Sequence, residues 1–283
     1  MKVVRLARAK VNLWLNVVGR RADGYHLLDS LVAFSDLADT LEVQPSSDLS
    51  LVLDGPQAAN LAGETDNLVL KTARRLADRA GMAPHAALRL TKRIPVAAGL
   101  GGGSADAAAA LLALVDLWRL TLPMEELFET AAALGADVPM CLAGRAALVS
   151  GVGERLGSAP ALPPCAVLLV NPGSALPTSE VFAARRGSVA TARPVTQPWH
   201  NLADFVDALA QRGNDLAPAA IALRPAIAEV LAFLRQSDGA RYAALSGSGA
   251  TCFALYETAA AAERVARLVP AAWWRHAGTF MAG

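Results

Sequence analysis

Cysteine is scarce in this chain of 283 residues. Cys141, Cys165 and Cys252 lie too far apart for a disulfide framework or a C-x-x-C site, so each reads as a buried thiol. His26, His85, His200 and His276 are equally scattered and define no metal-ligand cluster. Charge of one sign is also missing. With 26 basic and 25 acidic side chains the net charge is +1, and no block of like charge gives an electrostatic case for nucleic acid or an anionic membrane. The longest apolar run, Ala107 to Val115, is too short to span a bilayer. Lys2, Arg5, Arg8 and Lys10 stand where a signal peptide needs an apolar segment, so a cytoplasmic protein is expected, with no obligate protein partner evident.

What is present begins with apolar residues, 54% of the chain, enough to bury a large core in two domains rather than one. The most informative segment runs from Pro95 to Asp106 and continues into the apolar stretch ending near Leu117. Four glycines in five positions (Gly99, Gly101, Gly102 and Gly103) permit close backbone approach to a ligand, and a helix is expected to start near Ser104. The unpaired N–H groups at such a helix start would face an anion, so the segment reads as a phosphate-binding loop. It fits neither common pattern. Gly103 stands where the P-loop needs lysine, and the dinucleotide fingerprint fails at Ser104 or Asp106, depending on where counting starts.

Alternation places an early strand at Ala9 to Val17, with an apolar odd face and Lys10, Asn12, Trp14 and Asn16 on the other side. Lys10 and Asn12 should project together, either into solvent or toward a site. Further strands are expected at 39–44, 49–53, 87–92, 166–170, 240–245 and 252–256. Helices are expected at 67–80, closed by Gly81, and at 124–134, 202–211, 225–236 and 258–268. Asp137 in Gly135-Ala-Asp-Val-Pro139 suits the N-cap of a short helix. The Gly/Pro-rich passage 151–164 suggests a boundary dividing 1–155 from 156–283, and 185–198 reads as a long surface loop. Ser246 to Thr251 forms a second glycine-rich turn, which a tight strand connection alone would explain.

Taken together, these motifs resemble the GHMP kinases. The segment Ala9-Lys-Val-Asn-Leu13, the run Pro95 to Asp106, and Leu245-Ser-Gly-Ser-Gly-Ala-Thr251 appear in that family's order. Arg21-Ala-Asp-Gly-Tyr-His26, Gly135 to Pro139 and Asn214-Asp-Leu216 are similar to the branch whose acceptor carries a cytidine diphosphate group. The family's other members offer the rival reading of a homoserine or mevalonate type of kinase, and a noncatalytic nucleotide-binding protein on the same scaffold is a third. Arg21 to His26 speaks against an acceptor without a base, and retention of Lys10 and Asp137 against a noncatalytic role.

The resemblance implies a two-domain α/β (α+β) sandwich with its active site in the inter-domain cleft, and transfer of the γ-phosphoryl group of ATP to an alcohol. Phosphoryl transfer asks chiefly for positioning and charge neutralisation. By resemblance, Pro95, Val96, Ala97, Ala98, Gly99, Leu100, Gly101, Gly102, Gly103, Ser104 and Ala105 would hold ATP, with Asn67 and Lys92 near the adenine. Asp137 would accept or orient the hydroxyl proton and Lys10 would stabilise charge on the oxygens. Asn12, Tyr25, His26, Thr178 and Phe182 would bind the substrate, Tyr25 stacking on the pyrimidine and His26 meeting its edge. The family has an aromatic residue near position 32, where this chain has Val32, with Phe34 beyond. Mg²⁺ would accompany ATP with no assignable protein ligand, since Ser104 serves equally as a helix cap and Asp106 as a first-turn charge.

Overall fold

The computed structural model describes residues 2–61 and 67–281. The fold is mixed α/β, as expected, and its residues gather into two compact units that interleave along the chain. One comprises Met1–Ala9, Leu37–Val96 and Gly101–Gly144, and the other Lys10–Asp36, Ala97–Leu100 and Arg145–Gly283. This differs from the division into 1–155 and 156–283. The physical reason is that strands β1 (Val3–Arg20) and β2 (His26–Gln44) are long enough to serve both units.

In the first unit the end of β2 pairs antiparallel with β4 (Ala86–Thr91), Thr40 opposite Thr91, and β4 pairs parallel with β3 (Leu49–Asp54). Helix α1 (Leu68–Ala80) is bounded by chemistry legible in advance: the Asn67 side chain accepts from the N–H of Val69 at 2.9 Å, and Gly81 closes the helix at φ 63°. Helix α2 (Gly102–Trp118) begins two residues before the expected start, so Ser104 lies inside it and does not cap it. Its alanines are buried on nearly every side, as befits an apolar helix wrapped by others. Val69, Ala73 and Leu76 of α1, Ala107, Ala110 and Leu111 of α2, and Leu41, Val43, Leu88 and Leu90 of the strands form one core. Helices α3 (Met124–Leu134) and α4 (Val138–Ala143) complete the unit.

In the second unit the first part of β2 pairs antiparallel with β5 (Ala147–Gly151), which forms a hairpin with β6 (Arg155–Ser158). The glycine-rich passage expected to be a boundary is therefore partly this hairpin, turned through Gly151 and Gly153. A separate antiparallel sheet runs in the order β10 (Trp274–Thr279), β7 (Ala166–Asn171), β9 (Cys252–Tyr256), β8 (Tyr242–Leu245). Its central strands β7 and β9 are buried along their whole length. Helices α5 (Thr178–Ala184), α6 (Leu202–Arg212), α7 (Ala217–Leu223), α8 (Ala226–Gln236) and α9 (Ala259–Ala266) belong to this unit. Val181, Ala220, Ile227, Val230, Leu231 and Val265 pack with Leu168, Val170 and Ala254 of the sheet.

Strand β1 decides between the two readings left open for its polar face. Its polar face is not solvated: Lys10, Asn12, Trp14 and Asn16 are all buried, like the apolar face. Trp14 lies beneath the Arg212 guanidinium, 4.6 Å from the ring centroid, and edge-on to Trp199. Segment 185–198 has no helix or strand and is tied down by Ala190 N–H to the Val17 carbonyl and Arg193 N–H to Asp29. Among the described residues, no helix is long and apolar enough to cross a membrane.

Candidate active site

In the second unit, three segments far apart in sequence meet. The backbone N–H of Lys10 donates to the Leu100 carbonyl at 3.0 Å, and that of Thr251 donates to the Ala98 carbonyl at 3.1 Å. Ser246 Oγ donates to the Gly99 carbonyl at 3.1 Å and accepts from the Asn12 N–H at 3.1 Å. Residues 10–12, 97–100 and 246–251 are thus knitted into one surface, and the second glycine turn is more than a strand connection. Its shape is held from outside by Asn214, whose side-chain amide donates to the carbonyls of Leu245 and Gly247, each at 2.8 Å.

On this surface Lys10 Nζ donates to Asn12 Oδ1 at 2.5 Å, and Asn12 Nδ2 donates to Ser30 Oγ at 2.8 Å. Ser30 in turn donates to the Trp14 carbonyl at 2.5 Å. This chain of bonds fixes the Asn12 amide with its oxygen toward the ammonium. Gly99 (φ 77°) is pressed against the second turn, where a Cβ would lie 2.6 Å from the Ser246 carbonyl oxygen and 2.7 Å from that of Gly249. No other residue fits there.

In the first unit, the loop's exit becomes the N-terminus of α2. Gly101 occupies the N-cap without a side-chain bond, which leaves first-turn N–H groups for a ligand. Gly103 is exposed, and a Cβ built on it meets nothing within 4 Å. Asp137 occupies the N-cap position of α4 but makes no side-chain capping bond there. Helix capping therefore does not account for this aspartate.

Asp106 does not sit as the first-turn charge the sequence suggested, and Lys92 is bonded to it. Lys92 is buried with its ammonium bonded to Asp39 and, at 2.6 Å, to Asp106. Its backbone is engaged too, donating to Asp54 at 2.7 Å and accepting from Gln57 at 3.1 Å. Burial depresses the ammonium's pKa, but Asp106 and Asp39 outweigh it and hold the pKa above the usual lysine value. Asp106 is a buried second-turn residue, neither exposed nor in the first turn of α2. Burial pushes its carboxyl up to about 7; Lys92 opposes the shift and Asp39 adds to it. Asp39, which sequence reasoning missed, also accepts from the N–H groups of Arg93 at 2.5 Å and Ile94 at 2.9 Å. The only signal available was an aspartate between Ala38 and Thr40 in a strand that also carries Asp29 and Asp36.

Of the residues expected to bind a base, Tyr25 is exposed in the turn between β1 and β2, which closes through Arg21 N–H to the Tyr25 carbonyl at 2.8 Å. The rings of His26 and Phe182 stack with centroids 5.0 Å apart. Burial, then Arg20 and Arg185, lower the His26 pKa, favouring the neutral ring that can both donate and accept. Thr178 Oγ1 shares a hydrogen bond of 2.9 Å with Ser248 Oγ, which joins helix α5 to the second glycine turn. Val32 has no ring and the Phe34 ring is buried, so neither offers an exposed ring face.

Comparison with known proteins follows the same outline. Residues 67–145 match the N-terminal domain of the GHMP kinases and residues 193–275 their C-terminal domain. The 4-diphosphocytidyl-2-C-methyl-D-erythritol kinase of Rhodospirillum rubrum is 50% identical over 97% of this chain and 91% of its own length. That of Ruegeria pomeroyi is 49% identical, covering 97% and 98%. A crystal structure of 4-(cytidine 5'-diphospho)-2C-methyl-D-erythritol kinase superposes with a TM-score of 0.83 at 39% identity, covering 99% of this chain and all of that one. Homoserine kinase from Cytophaga hutchinsonii, at 18% identity and a TM-score of 0.70 over 99% and 95% of the two chains, shares the fold. With both domains matched and relatives at half identity over nearly its whole length, the chain belongs to the GHMP kinase family.

Proposed function

We propose that this chain is a cytoplasmic kinase that transfers the γ-phosphoryl group of ATP to the 2-hydroxyl of 4-diphosphocytidyl-2-C-methyl-D-erythritol, giving the 2-phosphate and ADP in non-mevalonate isoprenoid biosynthesis. The observation that carries this reading is the knitting of Lys10 and Asn12 to loop residues 97–100 and turn 246–251. Relatives of that name at about half identity, and the run Arg21 to His26, select the acceptor.

In this reading, residues Pro95 to Ala105 wrap the triphosphate, with the uncapped start of α2 directed at its charge. Asn67, at the start of α1, belongs near the adenine. Lys92 contributes from beneath the loop, because its ammonium is already engaged by two carboxylates. Lys10, held by Asn12, stabilises negative charge on the transferring oxygens, and Asp137 accepts or orients the acceptor's hydroxyl proton. A loose transition state asks little nucleophilic push of that carboxylate. Tyr25, His26, Thr178 and Phe182 bind the cytidine end.

Mg²⁺ bound to the phosphates would neutralise their charge. Among the described residues no group of three or more His, Cys, Asp or Glu side chains could hold a metal.

The test is phosphorus NMR of the products formed by wild type and Asp137→Ala from Mg-ATP and 4-diphosphocytidyl-2-C-methyl-D-erythritol. A new phosphomonoester signal, lost in the variant, is expected. Phosphorylation of homoserine or mevalonate instead would keep the family and overturn the acceptor. ATP binding without turnover of any acceptor would make the protein a nucleotide binder.

A further inference from the structure

Lys92, Asp39 and Asp106 form a buried cluster at the stem of the glycine loop. Asp39 comes from β2, Lys92 from the strand end that feeds the loop, and Asp106 from the helix that leaves it. The cluster lies against the start of α2, since a Cβ on Gly102 would be 3.4 Å from Lys92 Nζ. Two carboxylates share one ammonium. One Asp106 oxygen bonds Lys92, while the other, Oδ1, is buried and has no hydrogen-bond partner. A buried unpaired carboxylate oxygen is costly, and protonation lowers the cost by removing its charge.

We propose that Asp106 is a proton-linked positioning residue of the nucleotide site: it takes a proton from solvent when a triphosphate binds over the start of α2, so nucleotide affinity falls as pH rises. The inference rests on the ATP site proposed above. With both aspartates ionised the cluster carries one net negative charge directly beneath that site. With one proton bound it is neutral. Triphosphate charge arriving at the helix start favours the neutral form, and by linkage the neutral form favours the triphosphate.

The charges acting most strongly on Asp106 are Lys92 and Asp39, and its carboxyl already lies near 7, where a small perturbation changes its occupancy. Helix α1, which packs on α2, carries Lys71, Arg74, Arg75, Asp78 and Arg79, and α3, which also contacts α2, carries Glu125, Glu126 and Glu129. Asp137 precedes α4, which also packs on α2. The strongest influences are the two groups bonded within the cluster. Because the carboxylates are coupled, the proton belongs to the pair, with Asp106 the member whose free oxygen can carry it.

The experiment is calorimetry of a non-hydrolysable ATP analogue with Mg²⁺, from pH 6 to 8.5, in two buffers of different ionisation enthalpy. Wild type should take up a fraction of a proton that Asp106→Asn does not. Between the ends of this range wild-type affinity should fall about tenfold relative to the variant, the equivalent of a one-unit pKa rise on binding. Above pH 8 the variant should bind more tightly than wild type, a sign opposite to that of a merely structural role. Equal proton uptake by wild type and variant, with nucleotide bound, would overturn the inference and leave the ATP site intact. Folded wild type that binds no nucleotide would sink the ATP site and the inference with it. If Asp106→Asn does not fold, Asp39→Asn should abolish the uptake equally, and retained uptake there would be the contrary result. Carbon NMR of the free wild-type carboxyls adds a check independent of any variant: no carboxyl titrating between pH 6 and 8 would also overturn it.

Discussion

Gly99 and Gly103 lie four residues apart in the same loop, yet glycine is there for opposite reasons. At Gly99 the protein itself demands it: φ is 77°, and backbone oxygens of the second glycine turn occupy the space of any side chain. At Gly103 the protein demands nothing, for φ is unremarkable and the space is open. A glycine in a helix costs up to about 1 kcal/mol against alanine, so one that no protein atom requires points to something that approaches from outside. The first half of the loop is therefore an anchor to residues 246–251, and the second half is the part proposed to receive the triphosphate.

Gly99→Ala should break the anchor. Left-handed strain and overlap with two carbonyl oxygens should destabilise the protein by about 3 kcal/mol, read as a lower denaturation midpoint. Asn214→Ala attacks the same anchor from the other side by orphaning the carbonyls of Leu245 and Gly247. A loss of about 1 to 3 kcal/mol is expected, and a double mutant with Gly99→Ala should be non-additive. Gly103→Ala should divide the two properties: thermal stability unchanged or raised by up to about 1 kcal/mol, with the KM for ATP raised about tenfold. A fall in stability there, or an unchanged KM, would erase the distinction between the halves. The smallest effect concerns the cytidine end. The neutral His26 should lose its acceptor nitrogen as pH drops below its lowered pKa, so the acceptor's KM should rise severalfold on acidification, and His26→Gln should flatten that profile.

Much of the scaffold was legible where the signal is local. Asn67 and Gly81 bracket α1 through their own side-chain and backbone chemistry, and Cys252 to Tyr256 is a strand as its apolar run suggested. The residues from His26 to Ala38 were not read as strand, because Asp29, Ser30, Ser35 and Asp36 interrupt every apolar period. Partners remote in sequence explain several of them: Asp29 accepts from Trp14 and Arg193, Ser30 bonds Trp14 and Asn12, and Asp36 meets His276. Helices α5 and α7 are too short for a clear period. Strand β10, carrying Arg275 and His276 at a sheet edge, lacked the apolar signature of its neighbours. At the site, Lys10 and Asn12 were correctly put on one face, whereas the engagement of Lys92 by Asp39 and Asp106 spans 53 and 14 residues and leaves no local trace. The empty capping role of Asp137 was likewise invisible, since its position alone satisfies the rule for a cap.

The interleaving of the two units sets an order of events during synthesis. Leu15 donates its backbone N–H to the carbonyl of Gly213 and accepts from Asp215, and β2 pairs with β5. On a ribosome adding about 5 to 20 residues each second, β1 emerges roughly 10 to 40 seconds before Gly213 exists. During that interval the second-unit portions of these strands, residues 10–36, must wait for the residues beyond 145 that will cover them. The newborn chain is therefore most exposed to aggregation and most dependent on chaperones before translation ends, and a stall between residues 36 and 145 would leave the segment that carries Lys10 and Asn12 unfolded.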